Sequence, residues 1–420
     1  MDTHAPAAAR LVTCNGRSYR FPRVPTVVVC IDGSEPGYIE AAIAAGLAPN
    51  FARLIAEGAA LTALSAMPSF TNPNNLSLVT GRPPAVHGIT GNYFLDPATG
   101  EEVMMNDAKF LRAPTILAAF QEAGAKVAMV TAKDKLRALL GHGLDLSRAI
   151  AFSAERAHEA TLASNGIERV LERLGMARPE VYSAELSELV FAAGVSLLRR
   201  ERPDLMYLST TDYIQHRAGP GSALADGFYA MIDRYLGQLD ATGCILALTA
   251  DHGMNDKHLP DGSPDVLYLQ DWFDAQPGGA GARVILPITD PYVAHHGALG
   301  SFATVYLPAT ADRAGLAAAL AAVAGVELVL GREEACARLE LPPDRIGDLV
   351  VISTRHKVLG TSPAGHDLSG LSEPLRSHGG LSEQRVPMIL NRRVTIPAGR
   401  SLRNFDVFDV ALNLVAPAPE

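Results

Sequence analysis

The chain has 420 residues, of which 48% are hydrophobic and 19% charged, and it carries a net charge of −9. This is the composition of a folded globular protein, long enough for one large domain with an insertion or for two domains. With no Lys/Arg cluster to offset it, the acidic balance excludes a nucleic-acid surface. No uninterrupted apolar run reaches the roughly 18 residues of a membrane span. The opening M-D-T-H-A-P-A-A-A-R also lacks the basic-then-apolar pattern of a signal peptide. Cys14, Cys30, Cys244 and Cys336 are scattered, and two lie in apolar runs, which reads as reduced thiols in a cytoplasmic protein.

In chain order, the β-branched run Pro25 to Ile31 predicts a first strand that ends at Asp32-Gly33. A helix is expected over Ala48 to Ala60, then a strand over Leu61 to Ala66. The polar turn P-S-F-T-N-P-N-N (Pro68 to Asn75) follows and opens a helix running through Leu76 to Thr80. Further helices are expected over Pro114 to Ala123, Asp134 to Leu140, Pro179 to Arg200 and Ala223 to Leu239, with strands over Lys126 to Ala132 and Asp204 to Ser209. Cys244 to Met254 (C-I-L-A-L-T-A-D-H-G-M) reads as a strand buried on both faces that runs into an acid, an imidazole and a glycine. After about Asn255 the character changes, with Trp272, the glycine-rich Pro277 to Gly281, short strands and an alanine-rich helix over Ala311 to Ala322. Val386 to Leu390 and a helix over Phe405 to Val415 resume the earlier style. The alternation of strands and helices predicts an α/β fold with a doubly wound, mostly parallel sheet. Residues 1–255 and 373–420 would form the core, and 256–372 an inserted α+β cap.

Several chemically loaded residues leave these strands or lie in loops that reach the same edge. They are Asp32, Asp212 with His216 in T-T-D-Y-I-Q-H, Asp251 with His252, and His378 in S-H-G-G. In a parallel sheet all carboxyl ends lie on one edge, so distant residues can share one crevice. Asp212 and His216 are spaced i,i+4, on one face of a helical turn. Three carboxylates and three imidazoles exceed what one tetrahedral ion needs and match two ions sharing a site; the donor set suits zinc and is compatible with manganese or iron. Each residue also has a plainer reading: Asp32 as a turn residue, Asp212 as a helix cap, Asp-His-Gly as a turn. Thr71 opens a helix, where backbone N–H groups favour negative charge, and a metal would activate its hydroxyl as a nucleophile. It could equally cap that helix. Asn92 is a neutral donor after the turn H-G-I-T-G, or simply a turn residue. His87 is read as structural, His295 and His296 as surface or substrate-rim residues, and His356 and His366 as incidental.

The pieces V-V-V-C-I-D-G, P-S-F-T-N-P-N-N, H-G-I-T-G-N, T-T-D-Y-I-Q-H, T-A-D-H-G-M and S-H-G-G resemble, in order and spacing, the nucleotide pyrophosphatase/phosphodiesterase-like branch of the alkaline phosphatase superfamily. The resemblance implies two Zn2+ ions, one held by Asp212, His216 and His378 and the other by Asp32, Asp251 and His252. Thr71 would be the nucleophile touching the second zinc, and Asn92 a phosphoryl-oxygen donor. Within that branch the sequence most resembles the hydrolases that cleave the carbon–phosphorus bond of phosphonoacetate. The discriminating feature is T-A-K-D-K, whose Lys133 and Lys135 leave a strand towards the same edge and can bind a small substrate's carboxylate as point charges; the plainer reading is a solvated helix start. The expected activity is zinc-dependent hydrolysis of phosphonoacetate to acetate and phosphate through a phosphothreonine. The expected partner is a small phosphonate, with no nucleic acid and no membrane, and a homodimer is allowed.

The nearest alternative is a two-zinc phosphodiesterase, nucleotide pyrophosphatase or phosphomonoesterase acting on small esters. A nucleotide enzyme would call for aromatic surfaces to hold a base, and aromatics are only 6% of this chain. A phosphoglycerate mutase of the same superfamily normally uses serine with manganese, which Thr71 opposes. A non-catalytic metal- or phosphonate-binding protein would have little use for Thr71 beside both ligand sets.

Overall fold

The computed structural model describes residues 10–290 and 296–416. Its centre is a seven-stranded sheet of β1 (Thr26–Cys30), β2 (Ala59–Leu64), β3 (Val127–Thr131), β4 (Ile150–Ser153), β5 (Leu205–Ser209), β6 (Ile245–Thr249) and β7 (Arg385–Leu390), in the order β2-β7-β6-β1-β5-β3-β4. The neighbours from β6 through β4 pair in parallel, while β7 runs antiparallel to both β6 and β2. Side chains alternate between the two faces of the sheet, and because both faces are covered β1 is apolar from Val27 to Cys30. Val27 and Val29 enter the core on one face of the sheet, and Val28 and Cys30 the core on the other. β5 divides in the same way, Met206 and Leu208 from Leu205 and Tyr207.

A second sheet lies in the segment that follows β6. It has four antiparallel strands, Arg283–Ile285, Phe302–Tyr306, Leu349–Ser353 and Val326–Gly331, with a hydrophobic cluster of its own. Phe70, from the turn before the helix Thr71–Thr80, joins that cluster and packs edge-on against Phe302, so the start of that helix is tied to the second sheet's core.

Several boundaries shift from those read in the sequence. The expected strand over Leu61 to Ala66 lies at Ala59–Leu64, and the expected helix Ala48 to Ala60 ends earlier, at Glu57. The helix placed from Pro179 begins at Ala184. Phe405 to Val415 is not one α-helix: a 3-10 turn at Asn404–Asp406 passes through Val407–Asp409 into a π-helix at Val410–Leu414. The helix Pro36–Ala44 and strand β4 were not anticipated. All four cysteines are free thiols. Among the described residues, no single helix is long and apolar enough to cross a membrane.

Candidate active site

The parallel strands deliver their following residues to one edge. Asp32 lies just past β1, Lys133 past β3, Glu155 past β4, Asp212 past β5, and Asp251-His252 past β6. The antiparallel β7 starts at this edge, so the loop before it brings in His378 from the opposite direction. Asp32, Asp212, His216, Asp251, His252 and His378 are all buried. Asp212, His216 and His378 form one group able to hold a metal ion, and Asp32, Asp212 and His252 form another.

The histidines are oriented by the backbone. Nδ1 of His216 faces the Arg376 carbonyl oxygen at 2.7 Å, that of His252 faces the Gly253 oxygen at 2.9 Å, and that of His378 faces the Ser69 oxygen at 2.8 Å. A ring that donates through Nδ1 turns its Nε2 lone pair towards the cluster, the usual support for a metal-ligating imidazole. Nε2 of His216 lies 3.0 Å from Asp212 Oδ2, Nε2 of His378 3.6 Å from the same oxygen, and Nε2 of His252 3.4 Å from Asp32 Oδ1. The rings of His252 and His378 stack with centroids 3.6 Å apart. Gly33 makes the close approach to Asp212 workable: its φ of +69° is left-handed, and a Cβ there would lie 2.9 Å from Asp212 Cβ.

The electrostatics call for a cation. Asp32 Oδ1 is buried with no hydrogen-bond partner. Burial, then the charges of Asp212 and Asp251, push the Asp32 carboxyl well above the ordinary carboxylate range. Burial also works against the charge on Asp212, but His216, His378 and His252 outweigh it and hold that carboxyl well below the range. His378 is pushed well below the usual imidazole value by burial, His252 and His216. An orphaned carboxylate oxygen beside inward-facing imidazoles fits a divalent ion of zinc type.

Asp251 is tied differently from its neighbours. Its Oδ2 accepts from Asn75 Nδ2 at 3.0 Å, and its Oδ1 accepts from the backbone N–H groups of Gly33 and His252. Asn75 also donates to the Thr71 carbonyl and accepts from the hydroxyls of Tyr207 and Ser209. Thr71 is the first residue of its helix; Phe70 occupies the cap position and no side chain caps the end, so the helix-cap reading of Thr71 is not what the structure has. Its Oγ1 lies 3.2 Å from His252 Nε2. Asp212 sits before the helix Tyr213–Arg217 without capping it, its carboxylate facing His216 instead.

A cavity of about 180 Å³ opens over this edge, lined by Asp32, Thr71, Asn92, Asp212, His216 and His378 together with Lys133, Lys135, Glu155, Tyr182, Asp290 and His296. Lys133 Nζ lies 4.8 Å from the Tyr182 ring centre, and Lys135 Nζ pairs with Asp290 Oδ2 at 2.6 Å. Both lysines line the cavity, with the Lys135 side chain still partly open to solvent. His296, expected at the surface or the substrate rim, is buried in the lining with its ring 5.4 Å from that of His216. His295 lies outside the described residues. His87 is structural: Nε2 meets Ser77 Oγ at 2.9 Å and Nδ1 accepts from the Ile89 N–H. His366 is engaged with Gly297 and Thr361, and His356 with the Asp256 carbonyl.

Sequence reasoning passed over Glu155, Asp290, Asn75 and Tyr182. Glu155 could have been found by reading A-I-A-F-S as a strand, since it leaves that strand as Asp32 leaves β1. Asp290 follows a short strand of the second sheet, where no periodicity marks it.

A profile of the family described as type I phosphodiesterase / nucleotide pyrophosphatase matches residues 26–381. Crystal structures of phosphonoacetate hydrolase from Sinorhizobium meliloti 1021, in complex with phosphonoformate and with phosphonoacetate, are 61% and 60% identical, cover 97% of this chain and 100% of theirs, and superpose with a TM-score of 0.94. Murine ectonucleotide pyrophosphatase / phosphodiesterase 5 is 17% identical over 95% of this chain and 97% of its own, with a TM-score of 0.62, a likeness of fold. A phosphonoacetate hydrolase sequence from Penicillium oxalicum is 56% identical over 41 residues, 9% of this chain and 57% of that relative. An uncharacterized pyrophosphatase/phosphodiesterase of Schizosaccharomyces pombe is 32% identical over 90 residues, 21% of this chain and 18% of the relative's length.

Proposed function

The chain belongs to the type I phosphodiesterase / nucleotide pyrophosphatase family, and from that premise we infer that it hydrolyses the carbon–phosphorus bond of phosphonoacetate to acetate and phosphate. The observation that carries the reading is that Thr71, Asn92, Lys133 and Lys135 line one small cavity in a chain 61% identical, end to end, to a phosphonoacetate hydrolase. The segment 256–372 then acts as a cap that walls this cavity, and the four free thiols support a cytoplasmic setting.

Two Zn2+ ions suit the donors, one with Asp212, His216 and His378 and the other with Asp32, Asp251, His252 and Thr71; manganese or iron is compatible with the same set. Bound there, they would neutralise phosphonate oxygens and lower the pKa of the Thr71 hydroxyl and of the hydrolytic water. The chain's own groups do the rest. Thr71 Oγ1, at the start of its helix, attacks phosphorus and forms the P–O bond as the P–C bond breaks. The electron pair passes into the CH2–carboxylate arm, where Lys133 and Lys135 stabilise the enolate-like charge that makes carbon a tolerable leaving group. Asn92 donates its amide N–H to a phosphonate oxygen. The arm takes up the equivalent of the proton that the Thr71 hydroxyl gave up and departs as acetate, and water cleaves the phosphothreonine to restore the hydroxyl and give phosphate.

Replacing Thr71 with Ala tests the assignment. Turnover of phosphonoacetate should fall by about 10³-fold or more, and activity near that of the parent rules Thr71 out as nucleophile. Assaying an aryl phosphodiester on the parent separates the phosphodiesterase alternative: preference for the diester would overturn the substrate.

A further inference from the structure

Lys135 does not wait for substrate with its charge exposed. Its ammonium pairs with Asp290 Oδ2 at 2.6 Å, and Asp290 is 8% exposed while the Lys135 side chain is 36% exposed. The partners come from different sheets. Lys135 lies on the helix Asp134–Leu140 that follows β3, whereas Asp290 lies beyond the strand Arg283–Ile285 of the second sheet. Both line the cavity that holds Thr71, together with Lys133 and a second carboxylate, Glu155. Glu155 Oε2 accepts from the Asp134 backbone N–H at 2.8 Å, so it is anchored at the start of the helix that carries Lys135.

We propose that Asp290 is an internal competitor for the substrate: it holds Lys135 in the substrate-free protein, and the carboxylate of phosphonoacetate must take its place on Lys135 Nζ. This deepens the reading of phosphonoacetate as substrate and rests on it. Two carboxylates competing for one ammonium repel each other. A substrate carboxylate therefore binds well only as Asp290 withdraws. A ligand with no carboxylate leaves the pair closed. It gains nothing from Lys135, and the negative charge of Asp290 stays in the space the acetate arm would fill. The pair therefore lowers the affinity for a ligand that carries a carboxylate and leaves the affinity for one without it little changed.

The test measures binding by calorimetry to the metal-loaded full chain carrying Thr71→Ala, with and without Asp290→Asn. Phosphonoacetate and inorganic phosphate are the ligands. Phosphate reports the general effect of losing a negative charge. Asp290→Asn should lower the dissociation constant for phosphonoacetate by about three- to tenfold and that for phosphate by less than about twofold. Asp290→Glu, which restores the charge, should stay closer to the parent. In a Lys135→Gln background the carboxylate-specific gain should vanish. Weaker binding of phosphonoacetate by Asp290→Asn, or equal factors for both ligands, overturns the inference and leaves the substrate intact. A parent that binds phosphonoacetate no better than phosphate overturns the substrate reading, and this inference with it.

Discussion

Two buried ionic clusters lie close together in this molecule and are built on opposite plans. Lys257 and Glu383 are both fully buried, and their charges cancel. The Lys257 ammonium donates to Ser301 Oγ at 2.7 Å, the Arg355 carbonyl at 2.6 Å and Glu383 Oε1 at 2.9 Å. Glu383 accepts further from Asn255 Nδ2, Ser382 Oγ and the Gly380 N–H. At the sheet edge, by contrast, three carboxylates face three imidazoles, Asp32 Oδ1 has no hydrogen-bond partner, and two histidine rings stack at 3.6 Å. The first cluster is complete. The second becomes complete only when a cation arrives from outside. Burial alone therefore marks neither structure nor function; the imbalance of charge and hydrogen bonds does.

If that contrast is right, the two clusters should fail in different ways. Asp212 Oδ2 faces both His216 and His378, so Asp212→Asn should have the largest effect on activity. Metal affinity and turnover should each fall by more than about 100-fold, beyond what loss of a supporting hydrogen bond costs. The chelated variant should melt close to the chelated parent, because the loss of the carboxylate facing the imidazoles is offset by relief of the repulsion on Asp32. Metal content, phosphonoacetate turnover and melting temperature together check this. A chelated Asp212→Asn that melts well below the parent would make its cluster as structural as the other.

Lys257→Met should do the reverse. It strands the Glu383 carboxylate in a dry interior, which costs about 3–5 kcal/mol of stability. The variant that folds and binds metal should still turn over phosphonoacetate within a few-fold of the parent. Adding Glu383→Gln removes the stranded charge and keeps one acceptor oxygen, for Asn255 or for Gly380, so the double variant should be more stable than Lys257→Met alone. Denaturant unfolding of the parent, the single and the double variant measures this, and a double variant no more stable than the single would show that the pair is not the unit that matters.

The same contrast explains what the sequence could disclose. Asp32, Asp251 and His252 were legible because they break an apolar run where a strand ends, Asp212 because it follows a strand four residues before His216, and Lys133 because it leaves β3. Lys257 gave no such sign. It stands in Asn255-Asp256-Lys257-His258, a polar stretch that reads as surface, and only the tertiary fold buries it. β4 was missed because A-I-A-F-S is short, and the helix Pro36–Ala44 because its alanines leave little amphipathic contrast. The antiparallel direction of β7 has no local signature at all, although it is what brings His378 to the shared edge. Asp290 was hidden for a related reason: its role depends on Lys135, which lies 155 positions away in the chain.

The smallest expected effect concerns a histidine between the two plans. His87 is buried like the metal-facing imidazoles, but both ring nitrogens are engaged, by Ser77 Oγ and the Ile89 N–H. Burial, and then the nearby Arg345 guanidinium, push its pKa down from 6.5 to about 3. As pH falls below the unfolded value, the unfolded chain takes up a proton that the folded chain refuses. The unfolded state then binds more protons, so stability declines as pH falls from about 6.5 towards about 3, by at most about 1.4 kcal/mol per pH unit for one group. His87→Gln keeps an amide for Ser77 and does not titrate, so its denaturant midpoint should fall less steeply than the parent's between pH 6.5 and 5. Holding the chelator constant keeps the metal-facing histidines from contributing differently to the two curves. Parallel curves would mean that His87 takes up its proton in the folded state, and that a buried histidine outside the metal cluster is not held neutral by its surroundings.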